Sequence, residues 1–324
     1  MKTIRFQLFC VLSLILVFVS VYTGFARAPT TARIVFVSLR DDNAEIYTMT
    51  TDGSQQRNLT KHPATDREPV WSPTGEHILF ASDRIRVLDL YLMDPNGANV
   101  RKVFRASAHR RHPTWSPDGK KIAYVKRPEW AIYIATIDGE TEEQIAKVGE
   151  RGGSPAWSPD GSELAFVRKE PEGYQLVLVN VQTLTEKTLF PQAGPWIYNP
   201  SWSPNGSKIA FSWWDEATET STCYSINRDG SGRQEIFVPG RRSRRPVWSP
   251  HGDELLYEDY IPLQLPHIKL NLAQVYKIAL GSDKSERLTN NGANFDPDWF
   301  DPAILSVTPQ PQLLKTTWGK IKVD

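Results

Sequence analysis

Cysteine is nearly missing from this chain. Of the two present, Cys10 lies in a leader segment and only Cys223 remains beyond it, so no disulfide framework can hold the fold and stability has to come from packed elements. A surplus of charge is missing too. The 38 Lys and Arg residues against 37 Asp and Glu give a formal net charge of +1, and Lys2 and Arg5 belong to the leader. That balance excludes a general attraction to nucleic acid or anionic lipid, so charge recognition must be local. The chain contains no G-x-S-x-G nucleophile elbow and no G-x-x-x-x-G-K phosphate loop. The local markers of serine hydrolysis and of nucleotide binding are therefore absent, and no cofactor is expected. A long apolar run occurs once, from Leu8 to Tyr22, after Lys2 and Arg5 and before the small residues of Gly24-Phe25-Ala26. Residues 1–26 read as a secretory signal peptide, which implies a periplasmic or extracellular protein with no stable membrane insertion after cleavage. The alternative is an uncleaved anchor, because the run is close to the lower length limit for a spanning helix.

What the chain has is a repeat. Six times a proline precedes a tryptophan by two residues: Pro69-Val70-Trp71, Pro113-Thr114-Trp115, Pro155-Ala156-Trp157, Pro200-Ser201-Trp202, Pro246-Val247-Trp248 and Pro297-Asp298-Trp299. The tryptophans lie 44, 42, 45, 46 and 51 residues apart, the period of four-stranded propeller blades. Five copies continue as Ser-Pro-x-Gly, a turn in which Ser opens, Pro presets φ and Gly takes the left-handed position. An apolar strand follows each turn, as in Ile78-Leu79-Phe80 and Leu164-Ala165-Phe166, and then an alternating strand such as Leu90-Tyr91-Leu92-Met93. Asp52-Gly53, Asn96-Gly97, Asp138-Gly139 and Asp229-Gly230 mark a further turn, read as a two-residue hairpin, before a polar outer strand. The expected fold is all-β: a six-bladed β-propeller of four-stranded antiparallel blades. The N-terminal three strands and the C-terminal innermost strand pair to complete one blade and close the ring. The tryptophans are assigned to packing between blades, and the prolines to the first residue of each innermost strand, where no ladder donor is needed. Domain boundaries follow: a signal peptide at 1–26, a linker at 27–32, the propeller at 33–301 and a flexible tail at 302–324, with a docking or sorting peptide as the alternative for that tail.

The stretch from Ser38 through Glu45-Ile46-Tyr47-Thr48-Met49 and Asp52-Gly53, continuing by Asn58-Leu59-Thr60 to Pro69-Val70-Trp71-Ser72-Pro73-Thr74-Gly75, resembles the repeat of the TolB family. The resemblance covers about residues 33–301. It implies a periplasmic six-bladed propeller. In that family the propeller binds the peptidoglycan-associated lipoprotein and is preceded by an α/β domain, which this chain is expected to lack. Fold and compartment therefore transfer more readily than partner.

Strand direction alternates, so the repeated turns share one face of the disc and the variable segments share the other. One variable set directly precedes Pro-x-Trp, near the channel mouth, and is read as loops: Asp66-Arg67-Glu68, His109-Arg110-Arg111-His112, Arg151-Gly152-Gly153-Ser154, Trp196-Ile197-Tyr198-Asn199, Arg241-Arg242-Ser243-Arg244-Arg245 and Asn294-Phe295-Asp296. The candidate contact residues are Arg67, His109, Arg110, Arg111, His112, Arg241, Arg242, Arg244 and Arg245, with Trp196, Tyr198, Trp213 and Trp214 as aromatic contacts. Arg84 and Arg86 can add cations. The competing reading is a charged rim neutralised by Asp66, Glu68 and Asp296, with some of the tryptophans covering blade ends. The two imidazoles of His109 and His112 make a poor metal site, because two arginines sit between them and no third ligand is apparent. A long connection from Glu258 to Ala273, with Pro262 and Pro266, is expected either to cover the variable face in part or to be a tolerated insertion. The function expected is that of a non-catalytic, monomeric exported binding module for a protein or cell-envelope polymer. The alternative is a propeller hydrolase or lyase acting on glycans.

Overall fold

The structure, a computed structural model, describes residues 27–189, 196–215, 217–218, 220–236, 242–265 and 268–306. The segment read as a signal peptide, residue Arg241, Pro266 and most of the C-terminal tail lie outside the described residues.

Six four-stranded antiparallel sheets make up the fold. The second blade shows the pattern: Asp66–Trp71 is innermost, followed outward by Ile78–Ser82, Asp89–Met93 and Arg101–Lys102. The first blade draws its innermost strand, Asn294–Phe300, from the far end of the chain and its other three from Arg33–Asp41, Asn43–Met49 and Arg57–Asn58. Ile34 pairs with Trp299 in that sheet. Each sheet packs against a neighbour on both faces, which is why the second strands read as unbroken apolar runs. Ile78–Ser82 is buried at every position, whereas the outer strand Glu186–Thr188 is exposed throughout. Phe36, Phe80, Tyr124, Phe166, Phe211 and Tyr257 occupy the same place in the six second strands and are all fully buried.

The tryptophans of Pro-x-Trp do more than fill space. Trp115, Trp202 and Trp248 donate their indole N–H to the backbone carbonyls of Val70, Ala156 and Ser201, at 3.3, 3.1 and 3.2 Å. Each acceptor is the middle residue of the preceding blade's Pro-x-Trp, so one blade is tied to the next at the channel wall. The indole N–H of Trp71, by contrast, is buried without a partner. Trp71 and Trp202 are buried to nearly the same extent, so the burial lost with the indole is similar at both sites. Trp202→Phe is expected to destabilise more than Trp71→Phe by about 1 kcal/mol in chemical denaturation, and equal losses would remove the tie from the account.

The turn glycines behave as the repeat demands. Gly75, Gly119, Gly161, Gly206 and Gly252 have φ between 68° and 79°, and each closes on the serine three residues earlier, as Gly75 N–H does on Ser72 at 2.9 Å. The Asp-Gly turns differ from expectation. Gly53 closes on Thr50 in the same four-residue geometry, and only the glycine, not Asp52, takes positive φ.

The Glu258–Ala273 segment corrects the expected loop. It belongs to two long strands of the sixth blade, Glu254–Leu265 and Ile268–Ala279, paired in register out to Leu265 and Ile268. Pairing with the innermost strand stops at Ser243 and Asp259, and Tyr260 N–H still reaches Arg242 O at 3.4 Å. Pro262, two residues further on, has its missing N–H on that same free edge. Proline is tolerated there, and it blunts the edge.

Candidate functional site

The segments expected as loops before Pro-x-Trp run into the innermost strands, which begin at Asp66, His109, Gly153, Trp196, Ser243 and Asn294, so that only Arg151, Gly152 and Arg242 of their described residues lie outside a strand. The proline is thus inside its strand, at a bulge. Register breaks between Arg67 and Val70, Arg111 and Thr114, Gly153 and Ala156, Tyr198 and Ser201, and Arg244 and Val247, and opposite Phe295 and Asp298 in the first blade. A bulge leaves one residue out of the ladder, which is where a ring without an N–H fits.

The residue before each proline is the one displaced. Glu68, His112, Ser154, Asn199, Arg245 and Asp296 all lie in the left-handed region, with φ between 51° and 55°, at about 1–3 kcal/mol each for a residue with a side chain. Their freed amides are recaptured at four of the six positions by a side chain of the preceding blade. Glu68 N–H reaches Asp296 Oδ2 at 3.2 Å, His112 N–H reaches Glu68 Oε2, Arg245 N–H reaches Ser212 Oγ at 2.8 Å, and Asp296 N–H reaches Glu258 Oε1 at 2.7 Å. The bulge therefore turns six unlike side chains toward the axis. They line a central cavity of about 330 Å³ together with a second ring formed by Val70, Thr114, Ala156, Ser201, Val247 and Asp298.

The wall is charged on one side. Arg245 pairs with Asp296 and, at 3.5 Å, with Glu258, whose side chain is 1% exposed. Arg111 pairs with Glu68 at 3.3 Å and contacts His112 Nε2 at 2.9 Å. Burial pushes His112 down to about 4, so its ring is neutral near pH 7. Burial likewise pushes Glu258 up to about 7 against the pull of Arg245, and Asp298 up to about 6. Asp296 is raised for the same reason, again opposed by Arg245. Glu258 and Asp298 were not singled out in the sequence, yet both break their repeat. Glu258 stands where the other blades carry Val37, Ala81, Val125, Val167 and Ser212; Asp298 stands where they carry Val70, Thr114, Ala156, Ser201 and Val247.

The sequence-based candidates divide. Arg110 is corrected: it is 3% exposed, pairs with Asp89 at 3.0 Å and Glu142 at 3.2 Å, and lies 3.7 Å from the Phe104 ring centroid. Alternation along its strand points it between blades and away from any partner. Arg84 is likewise spent on Asp66, at 2.8 Å. His109 is half-buried, and burial lowers its pKa. Trp213 packs on Tyr224, with ring centroids 5.5 Å apart, and lies under Arg233, so it serves the blade. Arg67 is exposed and Arg242 half-buried. Trp196 is 44% exposed, its ring 5.5 Å from Tyr174.

Arg244, Tyr198 and Trp214 come together, with Tyr260 as a fourth member. The Arg244 guanidinium lies 5.8, 5.0 and 4.6 Å from the ring centroids of Tyr198, Trp214 and Tyr260. Burial pushes the Tyr260 phenol up to about 12, with Glu258 adding to the effect. Among the described residues, no three His, Cys, Asp or Glu side chains converge as a metal-holding group, and no helix is long and apolar enough to cross a membrane.

This architecture has known counterparts. A family model described as the TolB beta propeller domain matches residues 17–103 and 86–260. No curated protein matches the chain by sequence. Among solved structures, TolB from Acinetobacter baumannii is similar at 17% identity and a TM-score of 0.69, over 83% of this chain; the match spans 66% of that chain. A structure described as a nidogen/laminin complex is similar at 11% identity and a TM-score of 0.67, covering 84% of this chain and 99% of that one. An oligogalacturonate lyase in complex with manganese is similar at 17% identity and a TM-score of 0.51, covering 81% and 74%.

Proposed function

Because the chain belongs to the TolB beta propeller domain family, we propose that it is an exported binding module that receives a protein partner at the channel mouth on its variable face. The observation that supports this reading is the ring of six bulges. Six strained positions are kept in one place, and six different side chains stand on them, whereas the opposite face repeats the same turn. Strain of this kind collects at functional sites, and variable residues on a rigid scaffold are the usual form of a recognition surface. The similar chain of the nidogen/laminin complex is a fold-level precedent for such a role. In this reading residues 1–26 direct export, and the propeller acts as a monomer.

Blocking the mouth tests it. Ser154 lies on the cavity wall, and Ser154→Trp fills the opening from a residue that has no charge of its own. A protein recovered from an envelope extract by the wild type should be lost with Ser154→Trp and kept with Asp118→Lys on the turn face. Recovery that is equal for both variants would overturn the reading.

A further inference from the structure

Arg244 differs from three of the arginines near it. Arg110, Arg111 and Arg245 each have acidic partners within 3.5 Å. Arg244 is half-buried, and among the described residues it has no ion pair at all. Its Nε–H is buried and makes no hydrogen bond. A buried donor left open is rare in folded proteins and calls for a partner. The three aromatic rings of Tyr198, Trp214 and Tyr260 surround the guanidinium. They hold it by cation–π attraction, yet they satisfy none of its in-plane donors. A cation held among aromatic rings with its Nε–H unsatisfied is set up to take an anion.

We propose that the aromatic cluster between the fifth and sixth blades is a carboxylate site anchored by Arg244, and that its occupant is an acidic side chain of the partner peptide. The proposal rests on the reading of the mouth as a protein-binding face. Glu258 selects for a single negative charge: it stands opposite Arg244 in the strand ladder, and its Oε2 lies 3.4 Å from the Tyr260 hydroxyl. A dianionic phosphate would meet more repulsion from it than a carboxylate would. The ring faces select against a pyranose, since the guanidinium already occupies them beside Arg244 and a uronic acid would have no stacking platform there. A carboxylate on a flexible side chain needs only the open donor edge.

Calorimetric titration with capped tetrapeptides tests the assignment on the full chain. A peptide with one Glu should bind the wild type, and its Gln counterpart at least about tenfold more weakly. Arg244→Gln should weaken the Glu peptide by roughly 10- to 100-fold, the range of a charge-assisted pair. Arg244→Lys, which keeps the charge and loses the planar fork, should fall between the two. Equal affinity for the Glu and Gln peptides, an unchanged Arg244→Gln, or no binding of either peptide would overturn the proposal. Stronger Arg244-dependent binding of galacturonic acid or of a phosphoserine peptide would overturn the choice of ligand. Should a captured partner be lost with Ser154→Trp and kept with Arg244→Gln, the mouth would stand as the binding face and the carboxylate anchor would fall.

Discussion

Replacing Arg245 with Ala is expected to cost about 3 kcal/mol of folding stability at neutral pH. The guanidinium bridges Asp296 and Glu258, whose side chains are 5% and 1% exposed, and its removal leaves both carboxylates buried without a counter-ion. Arg245 itself is 28% exposed on its side chain, which keeps the figure at the low end of what breaking a buried pair costs. Arg244→Ala should cost only about 1 kcal/mol, because it forfeits ring contacts and strands no acid. Adding Glu258→Gln to Arg245→Ala should recover part of the loss. Denaturant titration of the three variants decides the matter: equal costs for Arg244 and Arg245 would mean that the Arg245 network contributes nothing.

The second large effect is on pH dependence. Glu258 is raised from 4.5 to about 7 by burial, so between those values the folded chain holds a proton that the unfolded chain has released. Stability contributed by the neutral acid is full at low pH and is lost as pH rises through that window. Asp298, raised from 3.8 to about 6 by burial, acts with the same sign. His112 acts with the opposite sign, since burial lowers it from 6.5 to about 4, and the unfolded chain takes the proton there. The two effects partly cancel in the wild type, so the informative quantity is the difference between variant and wild type. Glu258→Gln should gain about 3 kcal/mol relative to wild type between pH 4.5 and pH 7.5. The Asp298→Asn difference should rise earlier, between about pH 4 and pH 6. A flat difference for Glu258→Gln would show that its carboxyl titrates as in solution.

The blades were legible because the repeat carries its own physics. The Ser-Pro-x-Gly turns, the apolar second strands and the 42- to 51-residue period each follow from local chemistry, and the sheet order agrees with them. The bulge was not legible. Proline before Trp71 reads equally well as the first residue of a strand or as the unpaired residue inside one, and only the pairing of Arg67 with Ala81 beyond it decides. With the strand start misplaced, His109 to His112 read as a basic loop, although strand geometry sends Arg110 into the gap between blades and the bulge turns His112 to the axis. Arg244 and Arg245 were legible as residues and illegible in their roles, because adjacent strand positions part ways at the bulge. Arg244 goes to the rings of Tyr198, Trp214 and Tyr260, and Arg245 to Asp296 and Glu258. Glu258 and Asp298 carried a signal that was available in the sequence: acids at positions where every other repeat has a small or apolar residue.

Site-directed photo-crosslinking in cells tests the binding face most directly. A photoreactive residue in place of the exposed Arg67 stands at the mouth, and one in place of the exposed Asp118 stands on the turn face. A protein adduct formed at position 67 and absent at 118 is the expected result. An adduct at 118 with none at 67 would contradict the assignment of the channel mouth as the surface this propeller uses.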